Sequence, residues 1–162
     1  MSELGKIRVG EGPSGRLVFA SLGPGCDLLK SLKEIIKEKN VKSGLIVSGV
    51  GCLQQATIRG ASSFPEELPM TDQNRVYVPK KEPLELLSLQ GNIARKDDGE
   101  VYIHCHITVS SGLEKTRAYG GHLIEGCIVH PYVEIAIAEV TGLEIKRRED
   151  PEFRALGLYF DS

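Results

Sequence analysis

The sequence predicts an α+β fold: a twisted, mainly antiparallel β-sheet with flanking helices in a single domain. Three observations support this. One amphipathic helix pattern lies near the N-terminus, a long series of β-type segments follows it, and the 162 residues contain no repeat, low-complexity tract or linker. Because the strands do not alternate with helices, a doubly wound parallel sheet is not expected. We expect one domain over residues 1–162, with roughly the first 12 residues extended or partly ordered.

A strand and a helix begin the pattern. Residues 16–20 (RLVFA) are typical of a strand, and the following Gly-Pro-Gly at 23–25 is typical of a turn. Asp27 can cap a helix that continues to Lys39, and Asn40 then marks its end. The aliphatic residues of this segment share one helical face, which would pack on the sheet: Leu28, Leu29, Leu32, Ile35 and Ile36.

The remaining chain is mostly of β type. The predicted strands span residues 44–51, 53–60, 84–94, 101–110, 122–129, 133–140 and 156–160. Gly49 and Gly51 separate the first two of them, residues 61–74 form a polar loop, and Asp98-Gly99 predicts a hairpin turn. Small and branched residues alternate in strand 133–140, which predicts that both of its faces are covered, one by the helix and one by a neighbouring subunit.

The composition limits the classes of function. The chain has 22 acidic and 20 basic residues and a formal charge of −2, so generic affinity for nucleic acid should be weak. No secretion signal and no segment of membrane-spanning length is present, so we expect a cytoplasmic protein with no membrane partner. Cys26, Cys52, Cys105 and Cys127 form no C-x-x-C pair, which predicts reduced thiols and no zinc knuckle.

Three of the four histidines are candidates for a metal site. In the strand 101–110 the apolar residues occupy odd positions, so Cys105 should face the core while His104 and His106 share the other face. His122 follows Gly120-Gly121, a pair that permits a tight turn and a close approach to another strand. Three imidazoles without a fourth protein ligand would leave a coordination position open for water or substrate.

An ordinary role for these histidines is the alternative, since an exposed sheet face tolerates histidine and short motifs often match by chance. Other polar residues carry weaker hypotheses. Glu125, Glu134 and Glu139 could assist a metal site or act as a base, although a surface or subunit contact is the simpler interpretation. Arg59 and Arg117 could bind an anion, without positional support.

Several segments taken together resemble a known family. PLELLSLQGNI, then His-x-His on the next strand, then GGHLIEGCIV and EIAIAEV are similar to the plants-and-prokaryotes-conserved (PPC) domain. The similarity extends from the first strand to LGLYF. The domain occurs alone in bacteria and archaea and is attached to AT-hooks in plant nuclear proteins.

This resemblance implies a twisted antiparallel sheet with flanking helices, assembled as a homotrimer. It further implies that stand-alone prokaryotic members bind metal, at positions that match His104, His106 and His122 here. Plant members are associated with DNA and transcription, and prokaryotic relatives are called DNA-binding on that basis. This chain lacks the Arg-Gly-Arg-Pro core of an AT-hook, and its basic clusters, Lys80-Lys81 and Lys146–Arg148, are flanked by acidic residues.

We therefore hypothesise a trimeric metal-binding protein with zinc, or another divalent metal, on the three histidines and a small-molecule ligand at the metal. One alternative is a metal-dependent enzyme, because an open three-histidine site can lower the pKa of bound water to about 7. The other is a DNA-binding or transcription-associated regulator. An enzyme should have a carboxylate beside the histidines, whereas a DNA binder should depend on the Lys146–Arg148 cluster.

Overall fold

The computed structural model describes residues 7–113 and 115–161, in which one sheet surrounds one hydrophobic core. The elements are β1 (Ser14–Leu22), α1 (Leu28–Glu38), β2 (Gly44–Ala61), a short 3-10 helix (Asp72–Asn74), β3 (Arg75–Lys80), β4 (Leu84–Lys96), β5 (Val101–Ser111), β6 (Arg117–Leu123), β7 (Ile128–Val140), β8 (Glu144–Asp150) and β9 (Ala155–Asp161). Residues 7–13 have no regular secondary structure, and residues 1–6 lie outside the described part.

The predicted α+β class with a mainly antiparallel sheet is confirmed, but the expectation of several flanking helices is wrong. Within residues 7–113 and 115–161, α1 is the single α-helix. One helix is enough to cover the core because the sheet itself curves around the rest of it. In that core, residues from β2, β4, β5 and β7 are almost completely buried, for example Leu53, Leu89, Val109 and Ile137.

The order of strands in the sheet is β1-β7-β2-β6-β5-β4-β8-β9. All pairs are antiparallel except β4 with β8. The long β2 pairs with β7 and β4 along its first part and with β6 and β3 along its second part. Because β4 pairs with β5 and β5 pairs with β6, the strands β2, β4, β5 and β6 form a closed circuit of pairings. This closure brings β6 beside β5, where the histidines lie.

The helix begins and ends as predicted. The Asp27 side chain accepts a hydrogen bond of 3.1 Å from the Lys30 amide and caps the first turn. Asn40, directly after the C-cap, adopts a positive φ of 50° that ends the helix. Leu28, Leu32 and Ile36 are fully buried against the sheet, so the apolar face inferred from the sequence is the packing face.

The prediction of two strands over residues 44–60 is wrong, because β2 runs without a break from Gly44 to Ala61. Gly51 bends this strand without ending it. Its φ is +140°, and a Cβ there would lie 2.7 Å from the Cα of Val133 on β7. The glycine therefore permits a close contact between strands within a continuous ladder.

The boundaries of the later strands also differ from the prediction. The proposed strand at 122–129 is in fact the end of β6, a turn at residues 124–127 and the start of β7. Strands β3 and β8 were missed, because both are short and rich in charged or proline residues that disfavour strands in isolation. The edge strand predicted at 156–160 is confirmed as β9.

In residues 7–113 and 115–161, no helix is long and apolar enough to cross a membrane.

Candidate metal centre

The structure brings His104, His106 and His122 together on adjacent antiparallel strands. His106 on β5 lies directly opposite His122 on β6, and His104 lies two residues away on the same face of β5. The ring centroids of His106 and His122 are 4.4 Å apart, those of His104 and His122 are 5.0 Å apart, and those of His104 and His106 are 5.3 Å apart. The predicted alternation of β5 is confirmed, since Cys105 is buried beneath the histidines at 3% exposure.

Two glycines beside this cluster lie where neighbouring strands approach closely. A Cβ on Gly121 would lie 2.6 Å from the backbone oxygen of Arg59 on β2. A Cβ on Gly91 would contact the backbone of His104 and lie 2.7 Å from the Cα of Cys105. The predicted close approach at Gly120-Gly121 is confirmed, but the predicted tight turn is wrong because both glycines lie inside β6. His122 reaches the cluster through strand pairing.

The surroundings keep two of the imidazoles neutral. Burial, followed by the positive charge of Arg147, lowers the pKa of His104 from its ordinary value. Burial, with smaller effects of His106 and Arg59, lowers the pKa of His122 to about 4. Since an imidazole must be neutral to donate a lone pair to a metal, both residues are ready for coordination at neutral pH.

The donor set fits one divalent ion. One nitrogen of each histidine lies within 4.8 Å of the corresponding atoms of the others. The Nε2 atoms of His104 and His122 are 3.2 Å apart. Two ligands of a tetrahedral zinc ion at the usual Zn–N distance are separated by about 3.3 Å, so this pair already has the required spacing. Small rotations of the imidazole rings would bring a nitrogen of His106 to the same ion.

Basic and amide side chains border the cluster. Arg59 on β2 lies directly opposite His122, and Asn92 on β4 lies directly opposite His104. Arg147 on β8 contacts both Asn92 and His104. Its Nη2 lies 2.8 Å from Asn92 Oδ1 and 3.2 Å from His104 Nδ1. The charged groups that shift the pKa values of His104 and His122 are arginines and imidazoles, which makes the site electropositive.

The three glutamates considered as auxiliary residues lie elsewhere. Glu125 pairs with Lys30 at 3.2 Å and Glu139 pairs with Arg16 at 3.0 Å, while Glu134 is exposed on β7. These contacts agree with the simpler interpretation of surface residues. Arg117 begins β6, at the opposite end of the strand from His122.

The basic run Lys146–Arg148 does not form a common patch. Lys146 pairs with Glu144 at 2.8 Å, and Arg148 pairs with Asp97 at 2.9 Å and with Asp161. Arg147 points to the opposite side of β8, toward the histidines. From the sequence, Arg147 was considered only as part of the basic cluster that the DNA-binding alternative would use, and Asn92 was not considered. The register of β4 and β8 brings both residues to the site, and that register is not visible in the sequence.

Sequence comparisons relate this chain to known proteins. The sequence model of the Plants and Prokaryotes Conserved (PCC) domain matches residues 9–141. A Synechococcus protein (strain JA-3-3Ab) named Bifunctional protein GlmU is 31% identical over 151 residues, which cover 92% of this chain and 21% of that protein. The chain thus spans about a fifth of the length of the curated relatives it matches.

Three solved structures share the fold. A plant- and prokaryote-conserved (PPC) protein of Pyrococcus horikoshii has a TM-score of 0.75 at 29% identity, over 96% of this chain and all of that one. The metal-containing protein AF0104 of Archaeoglobus fulgidus has a TM-score of 0.75 at 25% identity, over 94% of this chain and 99% of that one. A protein of Ralstonia eutropha JMP134 that is provisionally described as DNA-binding has a TM-score of 0.67 at 25% identity, over 87% of this chain and 89% of that one.

The family match covers most of the chain, from before β1 to the end of β7, and includes all three histidines. The resemblance inferred from LELLSLQGNI and GGHL is thereby confirmed. This chain belongs to the Plants and Prokaryotes Conserved domain family.

Proposed function

We propose that this protein is a homotrimeric metal-binding module that holds one zinc ion per chain on His104, His106 and His122. The observation that carries the proposal is the convergence of three imidazole nitrogens within 4.8 Å on paired strands. The description of its Archaeoglobus relative as metal-containing supports it. Zinc is the preferred ion because three nitrogen donors with an open position are typical of zinc sites.

The assembly is supported by an apolar face on the outer side of the sheet. Leu17, Phe19, Leu45, Val47 and Val50 form this face, and each is between 47% and 74% exposed. A contiguous exposed apolar surface of this kind usually marks a protein–protein interface. Ala136 and Ala138 on β7 lie between β1 and β2 in the same layer. Their small side chains leave room for a partner, as expected for the outer face of strand 133–140.

The apolar face and the histidines belong to the same side of the sheet. Leu17 and Leu45 are both register partners of Ala138, Leu45 is a partner of Asn92, and Asn92 is a partner of His104. One row of side chains therefore connects the proposed interface with the proposed metal site. A copy docked on the apolar face would lie close to the metal.

Binding is favoured over hydrolysis. A bound zinc ion supplies Lewis acidity and lowers the pKa of its water. A metal hydrolase would also need a general base near that water, and within residues 7–113 and 115–161 no carboxylate is among the charged groups that shift the pKa values of His104 and His122. Because arginines occupy those positions, the site is suited to a ligand that carries negative charge.

The DNA-binding description of the Ralstonia relative supports a second candidate function. Two observations argue against DNA binding. Lys146 and Arg148 are already paired with acidic residues, and Arg147 is buried, with 8% of its surface exposed. Fluorescence anisotropy with duplex DNA at two salt concentrations tests this candidate. Micromolar, salt-dependent affinity that falls with Lys146→Gln/Arg148→Gln would favour DNA binding over a role limited to the metal.

Plasma mass spectrometry of the untagged protein tests the metal proposal, beside the double variant His104→Ala/His106→Ala and the control His130→Ala. We expect about one zinc per chain in the wild type and the control and none in the double variant. A wild type that is empty and fails to take up added zinc would refute the proposal.

Light scattering tests the assembly. We expect a mass of three times the 17.7 kDa chain. Phe19→Asp should dissociate the trimer because it introduces a charge in the apolar face, whereas Phe64→Asp, at an exposed loop residue outside that face, should not. A monomeric wild type would refute the proposed assembly.

A further inference from the structure

Arg147 is a buried residue whose positive charge has no ion-pair partner in the described part of the chain. Its side chain is 8% exposed, and no carboxylate among the described residues forms an ion pair with it. Nη1 donates to the Leu156 carbonyl at 3.2 Å, Nη2 donates to Asn92 Oδ1 at 2.8 Å, and Nε has no hydrogen-bond partner in the described chain. The Tyr102 ring, whose centroid is 5.1 Å from the guanidinium carbon, offsets part of the cost of burying this charge. Without a carboxylate partner the remaining cost makes Arg147 a candidate for binding an anion.

The hydrogen bond between Arg147 and His104 determines the tautomer of His104. A guanidinium has donors only, so Nη2 donates to His104 Nδ1, and the proton of the neutral ring is on Nε2. That Nε2–H donates to His122 Nε2 at 3.2 Å. The metal-free cluster is therefore a hydrogen-bonded chain from Arg147 through His104 to His122.

This chain of hydrogen bonds conflicts with coordination of a metal. To bind an ion through Nε2, His104 must carry its proton on Nδ1, and two N–H groups would then face each other at Arg147. Metal-bound histidines normally donate this second proton to an acceptor. Asn92 Oδ1 is suitably placed because Asn92 lies directly opposite His104, but it now accepts from Arg147. An amide oxygen can accept two hydrogen bonds, so Asn92 Oδ1 can accept from His104 Nδ1–H while it keeps its bond to Arg147. Coordination thus requires Arg147 to release His104.

We infer that metal binding at the three histidines frees Arg147 to bind an oxyanion next to the metal, so that the ligand of this site carries a carboxylate or phosphate group. The inference rests on the proposed metal-binding function. The released Nη2–H and the unpaired Nε–H form the fork that matches two oxygens of such a group. Arg59, opposite His122, places a second positive charge on the other side of the cluster. Arg147 lies outside the residues matched by the family, so that match assigns it no role.

Metal and oxyanion should therefore bind cooperatively, and each should raise the affinity for the other by the same factor. We would titrate Co²⁺ into metal-free wild-type protein and follow its visible absorption, with no added ligand, with acetate, or with methyl phosphate. Arg147→Gln removes the guanidinium. Arg148→Gln is the matched control, since it makes the same change at the adjacent residue, whose partners are Asp97 and Asp161.

In the wild type and in Arg148→Gln, we expect the oxyanion to raise Co²⁺ affinity by roughly tenfold, the effect of one charge-assisted hydrogen-bonded pair. In Arg147→Gln this increase should disappear, while Co²⁺ affinity without the oxyanion should be unchanged or higher because the competing hydrogen bond is gone. A larger effect of acetate would identify a carboxylate ligand, and a larger effect of methyl phosphate a phosphate ligand.

Three outcomes would overturn the inference. The increase could persist in Arg147→Gln, it could be missing from the wild type although Co²⁺ binds, or a folded Arg147→Gln could lose Co²⁺ affinity. Each of these leaves the metal site itself intact in the wild type. No Co²⁺ binding by the wild type would instead refute the proposed function and the inference together. If thermal unfolding shows that Arg147→Gln does not fold, Arg147→Lys replaces it; this variant keeps the charge without the fork and should lose most of the increase.

Discussion

His106 and His122 are direct register partners on β5 and β6, with their ring centroids 4.4 Å apart. The two residues are separated by sixteen positions in the sequence, and the antiparallel pairing of the strands makes them neighbours. His104 completes the group because side chains two residues apart on a strand point to the same face. The proposed metal site is therefore a property of two adjacent strands held in one register.

Replacement of His122 should remove the proposed metal site while the protein stays folded. His122→Ala deletes one of three nitrogen donors on a partly exposed face, so we expect zinc affinity to fall by at least about 100-fold while the circular dichroism spectrum stays unchanged. Competition with a chromophoric chelator measures the affinity. His130→Ala, which removes an exposed histidine outside the cluster, should keep the affinity of the wild type. Equal losses in both variants would contradict the assignment of His122.

The stability of the metal-free protein should decrease on acidification. The folded-state pKa of His122, about 4, lies below its ordinary value of 6.5. Between these values the unfolded chain binds more protons than the folded one, so the free energy of unfolding rises with pH and falls as the pH drops from 6.5 toward 4. Because the ring is partly exposed, we expect an effect on the order of 1 kcal/mol.

Urea unfolding of chelated protein at pH 7 and pH 5 measures this effect. His122→Gln should show a smaller decrease between the two pH values than the wild type. An identical decrease in the two proteins would show that His122 does not contribute to it.

Gly91 should be intolerant of a side chain. A Cβ at this position would contact the backbone of His104 and lie 2.7 Å from the Cα of Cys105, so Gly91→Ala must push β4 and β5 apart. We expect a loss of about 1–3 kcal/mol in the free energy of unfolding, with weaker zinc binding because the histidine strand moves. The control is Gly112→Ala, at a glycine whose Cβ would meet no atom within 4 Å. Chemical unfolding compares the two variants, and equal stability would contradict the steric argument.

Asp27 should stabilise two segments at once. Its Oδ1 accepts from the Lys30 amide at 3.1 Å, and its Oδ2 accepts from the Gly126 amide in the turn before β7 at 2.7 Å. Asp27→Ala removes both bonds, and we expect it to lower the free energy of unfolding by about 1–2 kcal/mol. Asp27→Asn keeps one acceptor oxygen and should lose less. Urea unfolding of both variants measures the difference, and an equal loss would argue against a shared role of the two oxygens.

The buried thiols should be inert in the native protein. Burial raises the pKa of Cys105 to about 12 and that of Cys127 to about 11, so almost no reactive thiolate exists at pH 8. Iodoacetamide should modify the partly exposed Cys26 and Cys52 first, and should reach the buried pair only after unfolding. Peptide mass spectrometry reports the order, and early modification of Cys105 would contradict its position beneath the histidines.

The sequence alone was sufficient for features that depend on local pattern. The helix from Asp27 to Lys39 follows from its cap and its apolar spacing, and the inward position of Cys105 follows from the alternation of β5. The three histidines were found because few residue types donate a lone pair to a metal, and their spacing is visible. The segments around Gly91 and His122 indicated the family, and in the structure neighbouring strands approach closely at Gly91 and at Gly121.

The tertiary structure decided what depends on register between distant strands. It showed that Gly51 bends β2 without breaking it, and that His122 reaches His106 from within β6 and not after a turn. It also showed that Arg147 lies at the edge of the histidine cluster and not in a basic surface patch with Lys146 and Arg148. The reason is that β8 pairs parallel with β4, and the Arg147 side chain points toward His104. Local patterns specify which face of a strand a residue occupies. Which strand lies beside it depends on packing of the whole chain, and that pairing brings the three histidines together.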